Sequence, residues 1–104
     1  MNITKNILRE CRNMINGNVN EFISGLYYGD ERVFLYKNEK FFIQGLAENG
    51  VYTLYLDRWE PPSEDYIWRA SSVKDYPVEQ FLEAKIFDGE SFWSVEGEIE
   101  WVDA

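Results

Sequence analysis

Asn49-Gly50 stands between two apolar runs, and no other dipeptide restricts the path of this chain as strongly. Asn-Gly accepts the positive φ angles of a type I′ turn, whose twist matches that of paired strands. With these two residues as the loop, Glu48 faces Val51, Ala47 faces Tyr52, Gly45 faces Leu54 and Ile43 faces Leu56. Side chains alternate across a strand, so Phe41, Ile43, Ala47, Tyr52, Leu54 and Leu56 share one face. The other face pairs Phe42 with Asp57, Gln44 with Tyr55 and Leu46 with Thr53. That mixture suits an antiparallel sheet with one buried and one wetter side. Gly45 has no side chain to set against Leu54, which predicts a bulge or a close backbone approach.

The ribbon extends back to Arg32 and forward to Arg58. The turn at Lys37–Lys40 is open between two readings. A four-residue loop pairs Tyr36 with Phe41 and turns Phe34 and Tyr36 to the core. A three-residue loop pairs Leu35 with Ile43 and turns Val33 and Leu35 there instead. Either way Arg32–Tyr36 reads as a strand near the sheet centre, covered on both sides.

Around the ribbon, helical spacing of Ile7, Leu8, Cys11, Met14 and Ile15 predicts a helix over 4–16, capped by Thr4 and stopped at Asn16-Gly17. Glu21–Tyr28 reads as a strand or an extended lead-in. Pro61 and Pro62 make 59–65 a loop, and Tyr66–Ala70 a returning strand ended by Ser71-Ser72. A second helix is expected over Tyr76–Phe87, with Pro77 in its first turn and Asp88-Gly89 at its end. Residues 91–102 fit two periods. As a helix capped by Ser91 they align Phe92, Val95, Ile99 and Val102. As a strand they align Trp93, Val95, Ile99 and Trp101. The fold class is therefore α+β: one domain over 1–104, with a four- or five-stranded antiparallel meander, an N-terminal helix and one or two C-terminal helices packed on it.

A chain of 104 residues with 45% apolar content sustains one core and not two. Its longest apolar runs are a few residues, far short of the ~18–20 that a membrane span needs. The single Cys11 has no partner for an internal disulfide and reads as a small buried hydrophobe in a reducing, cytoplasmic setting. Net charge is −9, and its distribution is uneven: residues 1–74 carry nine basic and ten acidic groups, residues 75–104 one basic and nine acidic. Nucleic acid and anionic membranes are poor partners for such a chain, whereas a basic protein suits it. The same acidity also serves solubility alone.

Catalytic equipment is sparse. With no histidine and one cysteine, the chain lacks Ser-His and Cys-His nucleophile arrangements, and zinc, iron and copper sites are not expected. Gly25-Leu-Tyr-Tyr-Gly29 lacks the lysine and helix of a phosphate loop. A carboxylate pair of Asp57 with Glu60, Glu64 or Asp65 is the remaining catalytic arrangement. Calcium ligation by Glu60, Glu64 and Asp65 lacks the required spacing and glycine. The expectation is a protein without catalytic residues or cofactors.

Two constellations are candidate partner sites. In the tail, Trp93 and Trp101 are interleaved with Glu90, Glu96, Glu98, Glu100 and Asp103, an arrangement of aromatic anchors in a polar rim. The bland alternative has both tryptophans in the core and the glutamates as a solvated face. The second constellation is Trp59, Glu60, Glu64, Asp65 and Tyr66 in the proline loop, whose bland reading is a structural turn with Trp59 packed on the sheet.

In size, in a helix-then-meander layout and in this acid-plus-tryptophan tail, the chain resembles the small acidic immunity proteins with which bacteria neutralise their own toxins. The resemblance implies stoichiometric binding of a cognate toxin, a basic nuclease domain, whose active site Glu96, Glu98, Glu100 and a neighbouring tryptophan would block. Two other classes stay open. One is a small-molecule-binding or catalytic domain around Asp57, which requires a pocket there. The other is an assembly subunit, which requires an exposed apolar patch around Phe42, Leu46 and Tyr55. Oligomeric state is not fixed by the sequence.

Overall fold

A computed structural model describes residues 14–103. The α+β class holds: a five-stranded antiparallel sheet carries short helices. Strands β1 (Arg32–Tyr36), β2 (Glu39–Glu48), β3 (Val51–Glu60), β4 (Trp68–Ser72) and β5 (Glu100–Trp101) lie in the order β4-β3-β2-β1-β5. Helix α1 spans Val19–Leu26, α2 Val78–Glu83 and α3 Phe92–Val95, followed by a 3₁₀ turn over Glu96–Glu98.

The β2–β3 hairpin has the expected register throughout, from Glu48↔Val51 to Phe42↔Asp57. Asn49 (φ 55°) and Gly50 (φ 77°) both take the positive angles of the type I′ turn. Gly45 meets the expected close approach: its N–H donates to the Gly29 carbonyl at 3.2 Å, and a Cβ on it would lie 2.5 Å from the Tyr76 ring.

The β1–β2 turn is tighter than either expected loop. Tyr36 pairs with Glu39, so Lys37 and Asn38 alone form the turn, at φ 50° and 66°. Phe34 and Tyr36 face the core, as in the four-residue reading, and β1 lies between β2 and β5. The displaced residue appears on β3 instead. Phe41 pairs with Arg58 and Lys40 with Glu60, which leaves Trp59 as the extra residue of a bulge.

Four other expectations are corrected. Glu21–Tyr28 is not a strand: Val19–Leu26 is helical, because the Asn18 side chain accepts from the Asn20 and Glu21 amides and Val19, Phe22 and Leu26 recur on one buried face. Of the helix expected over 4–16, residues 4–13, Cys11 included, lie outside the described residues; its end is extended. Ile15 pairs in parallel with Glu100, and Asn16 (φ 62°) turns the chain between Met14 and Gly17. The returning strand runs from Trp68 through Ser72, since Ser71 stays in register with Thr53 and their hydroxyls lie 2.7 Å apart. Helix α2 ends at Glu83, where Ala84 turns extended. Asp88-Gly89, expected to cap it, closes a separate tight turn in which Phe87 and Glu90 exchange 3.0 Å hydrogen bonds.

The tail combines its two readings. Ser91 caps α3, and Phe92 and Val95 are buried as the helical spacing requires; Ile99 is buried but extended, Val102 is exposed, and Trp101 pairs with Phe34 in the sheet. Helices and sheet enclose an aromatic core. Phe22 stacks on Phe92 (5.7 Å) and meets Trp101 edge-on (5.5 Å); Phe34 stacks on Phe41 (5.4 Å), and Phe87 packs against Tyr36 and Phe81.

Candidate functional site

The tail residues divide into two sets. Glu96 (0% exposed) and Trp101 (7%) are inside. Trp101 is held on β5 beside Phe34, with its indole N–H donating to Asp103 and the Arg32 guanidinium 5.0 Å from its ring centroid. Neither offers the outward-facing contact expected of it. Glu90, Glu98 and Asp103 are exposed, and Glu100 and Trp93 are half-buried, the latter edge-on to Phe92. Glu100 points to the sheet face away from the core, since its neighbour Trp101 points inward, and it accepts from the Asn16 amide at 3.0 Å.

Further acid stands on α2 and just before it. Asp75, Glu79 and Glu83 are exposed. Among the described residues, Asp88 is paired with Lys37 at 3.0 Å, whereas Asp75, Glu79, Glu83, Glu90 and Glu98 take part in no ion pair. Asp88 holds the Lys37 ammonium above its ordinary pKa, through their hydrogen bond first and its charge second.

Trp59 and Glu60, expected in the loop, instead end β3, and together with the proline loop that follows they gather the second constellation at one end of the outer sheet face. Trp59 stacks on Phe42 at 4.5 Å, and Tyr66 lies 4.8 Å from Tyr55. Arg58 Nε donates to the Pro61 carbonyl and Ser63 N–H to the Arg58 carbonyl, which pins the loop to β3. Below it is a cavity of about 250 Å³ lined by Asp57, Ser63, Glu64, Asp65 and Tyr66. Its carboxylates are partly engaged: the Ser63 hydroxyl lies 3.1 Å from Asp57, and Asp65 accepts from the Tyr66 amide. Glu60 turns away to Lys40 at 3.4 Å. Among the described residues, no three carboxylates converge to hold a metal ion.

On the outer sheet face, Leu46 is 53% exposed, while Phe42 and Tyr55 are half-covered by their aromatic neighbours. A second cavity, of about 290 Å³, opens between the end of α1 and the approach to α2, with Tyr27, Asp75, Tyr76 and Glu79 in its wall. The sequence gives little warning of it, because Tyr27 falls in the expected strand over Glu21–Tyr28 and Tyr76 at the start of the expected second helix. Burial, then the charges of Glu79 and Asp75, raise the Tyr27 hydroxyl above its ordinary pKa.

Comparison with family models, curated proteins and solved structures finds no match. Among the described residues, no helix is long and apolar enough to cross a membrane.

Proposed function

We propose that this chain is a stoichiometric protein-binding protein of the immunity type, which inhibits a basic toxin or nuclease domain through the acid of its last thirty residues. One observation supports the reading above the rest: carboxylates on α2, at the 87–90 turn and beside β5 are exposed, and among the described residues Glu79, Glu83, Glu90 and Glu98 take part in no ion pair. A basic surface brought by a partner would complement this field. In this reading Glu90, Glu98, Glu100 and Asp103 make the polar contacts and Trp93 the aromatic one, while Glu96 and Trp101 hold the segment from within. Affinity purification from the producing cell, and co-expression with the product of the adjacent gene, should return one basic protein at equimolar ratio. Recovery of no protein partner overturns the reading.

The cavity at Asp57 favours a second reading, a binding site for a small cationic molecule, because its lining is acidic and faced by a tyrosine. Saturable binding of small amines, lost in Asp57→Asn, would support it; no response to any of them would exclude it.

A further inference from the structure

The cavity between α1 and α2 is walled by two phenol rings and two carboxylates, with Ser72 and Gln80 beside them and, among the described residues, no basic side chain in its lining. Tyr76 is fixed in position. Its ring meets Tyr52 edge-on at 5.1 Å and lies over Gly29 and Gly45, where a Cβ would come within 2.7 Å and 2.5 Å of it. Asp75 and Glu79 face solvent, and neither takes part in an ion pair among the described residues. Burial first, and then the charges of Glu79 and Asp75, raise the pKa of the Tyr27 hydroxyl, which shares the cavity wall with both carboxylates.

The surroundings are those of a docking point. Tyr28 (80% exposed) and Val73 (77%) are the most exposed large apolar residues described, and they directly follow Tyr27 and Ser72 of the cavity wall. A partner's side chain seated in the pocket would bring these exposed residues under cover, and arginine and tyrosine are among the residues that carry most of the binding energy of protein interfaces.

We propose that this cavity receives one arginine side chain of a basic protein partner. Its volume of about 290 Å³ falls just under the ~300 Å³ at which drug-sized pockets begin, which suits a single side chain. The negative lining rejects anions. Carboxylates match the planar fork of a guanidinium and the phenol rings its face, a combination that an ammonium uses less well. The proposal rests on the protein-binding reading but uses residues separate from the tail.

The test is an NMR titration of the whole chain with Nα-acetyl-arginine amide, its lysine analogue and its uncharged citrulline analogue. The arginine probe should give saturable shifts at Tyr27, Tyr76 and the Gln80 side-chain amide, with a Kd on the order of 1 mM. The citrulline probe should give none, and the lysine probe should bind several-fold more weakly. Glu79→Gln and Asp75→Asn, both at exposed positions, should each weaken the arginine probe about three- to tenfold. Asp57→Asn should leave it unchanged. No saturable shift, equal binding of the citrulline probe, or full binding by the Asp75→Asn/Glu79→Gln double variant overturns the proposal. A chain that captures its basic partner but ignores the arginine probe loses the pocket and keeps the protein-binding reading. A chain that takes the probe but has no protein partner loses both.

Discussion

The guanidinium of Arg32 occupies the space that a side chain on Gly25 would fill: a Cβ there would lie 1.8 Å from Nη2. Arg32 reaches this seat from β1, with its cation 5.0 Å from the Trp101 ring centroid and an Nη1–H bond to its neighbour's carbonyl. Helix propensity alone would make Gly25→Ala stabilising by about 1 kcal/mol. The expected outcome is the reverse, a loss of about 0.5–2 kcal/mol, because the new methyl evicts the cation from the indole. Chemical denaturation decides the matter through a double-mutant cycle. In an Arg32→Ala background the same Gly25→Ala change should be neutral or stabilising.

Gly45→Ala is a harsher case. The added methyl would meet the Gly29 Cα at 2.7 Å as well as the Tyr76 ring, and backbone yields less readily than a side-chain tip. Overpacking of this kind costs about 1–3 kcal/mol. Equilibrium unfolding in urea should show a loss in that range, and a neutral result would mean that α1, β2 and Tyr76 are not packed as described.

These two glycines mark what the sequence could and could not disclose. Asn49-Gly50 fixed the β2–β3 register because a two-residue I′ turn leaves no freedom once its positions are known. Gly45 could be read as a close approach, yet its neighbours Gly29 and Tyr76 come from distant points in the chain. Around Gly25 the apolar and aromatic run within Glu21–Tyr28 reads as a strand, although Asn18 followed by Glu21 carries a helix-start signal. The tail resisted assignment because it changes period within itself, helical to Val95 and extended at Glu100–Trp101. Of the candidate tail site, the charge was legible. The inward turn of Glu96 and Trp101 depended on β5 joining β1, a pairing across more than sixty residues.

The β1–β2 turn offers a stabilising change. Lys37 and Asn38 both sit at positive φ, which a bulky residue such as lysine adopts at a cost of about 1 kcal/mol. Lys37→Asn with Asn38→Gly would restore the preferred pair for a type I′ turn. The exposed bond from Lys37 to Asp88 would be lost, but surface pairs contribute little. Stability should rise by about 0.5–1 kcal/mol by thermal or urea unfolding. A fall would show that the Asp88 contact matters more than the backbone strain.

Alkaline pH should lower the stability of the fold. Tyr27 has a folded pKa raised above the ordinary 10.0, by burial first and then by Glu79 and Asp75. Above pH 10 the unfolded chain therefore gives up this proton before the folded one, so folding stability declines as pH rises through the folded pKa. Lys37, raised above 10.5 chiefly by its hydrogen bond to Asp88, acts in the same direction: its contribution is present below the unfolded pKa and lost above the folded one. Ultraviolet titration of the tyrosines should show one hydroxyl shifted upward. In the Asp75→Asn/Glu79→Gln variant that shift should shrink but not vanish, since burial is its larger cause.

Glu90, Glu98 and Asp103 are exposed, so their conversion to the matching amides should leave the fold intact. Net charge would move from −9 toward zero by three units, and reduced self-repulsion should keep or slightly raise stability at neutral pH. The effect on partner capture should be kinetic. Charges at an interface mainly set the encounter rate, so association with the co-purified basic protein should slow by roughly tenfold or more at low salt while dissociation changes less. Near 1 M salt, where the screening length is about 3 Å, the two proteins should associate at similar rates. Stopped-flow measurement across ionic strength separates this from a packing effect. An association rate equal to that of the unmodified protein at low salt would mean that the exposed acid of the tail does not guide the partner at all.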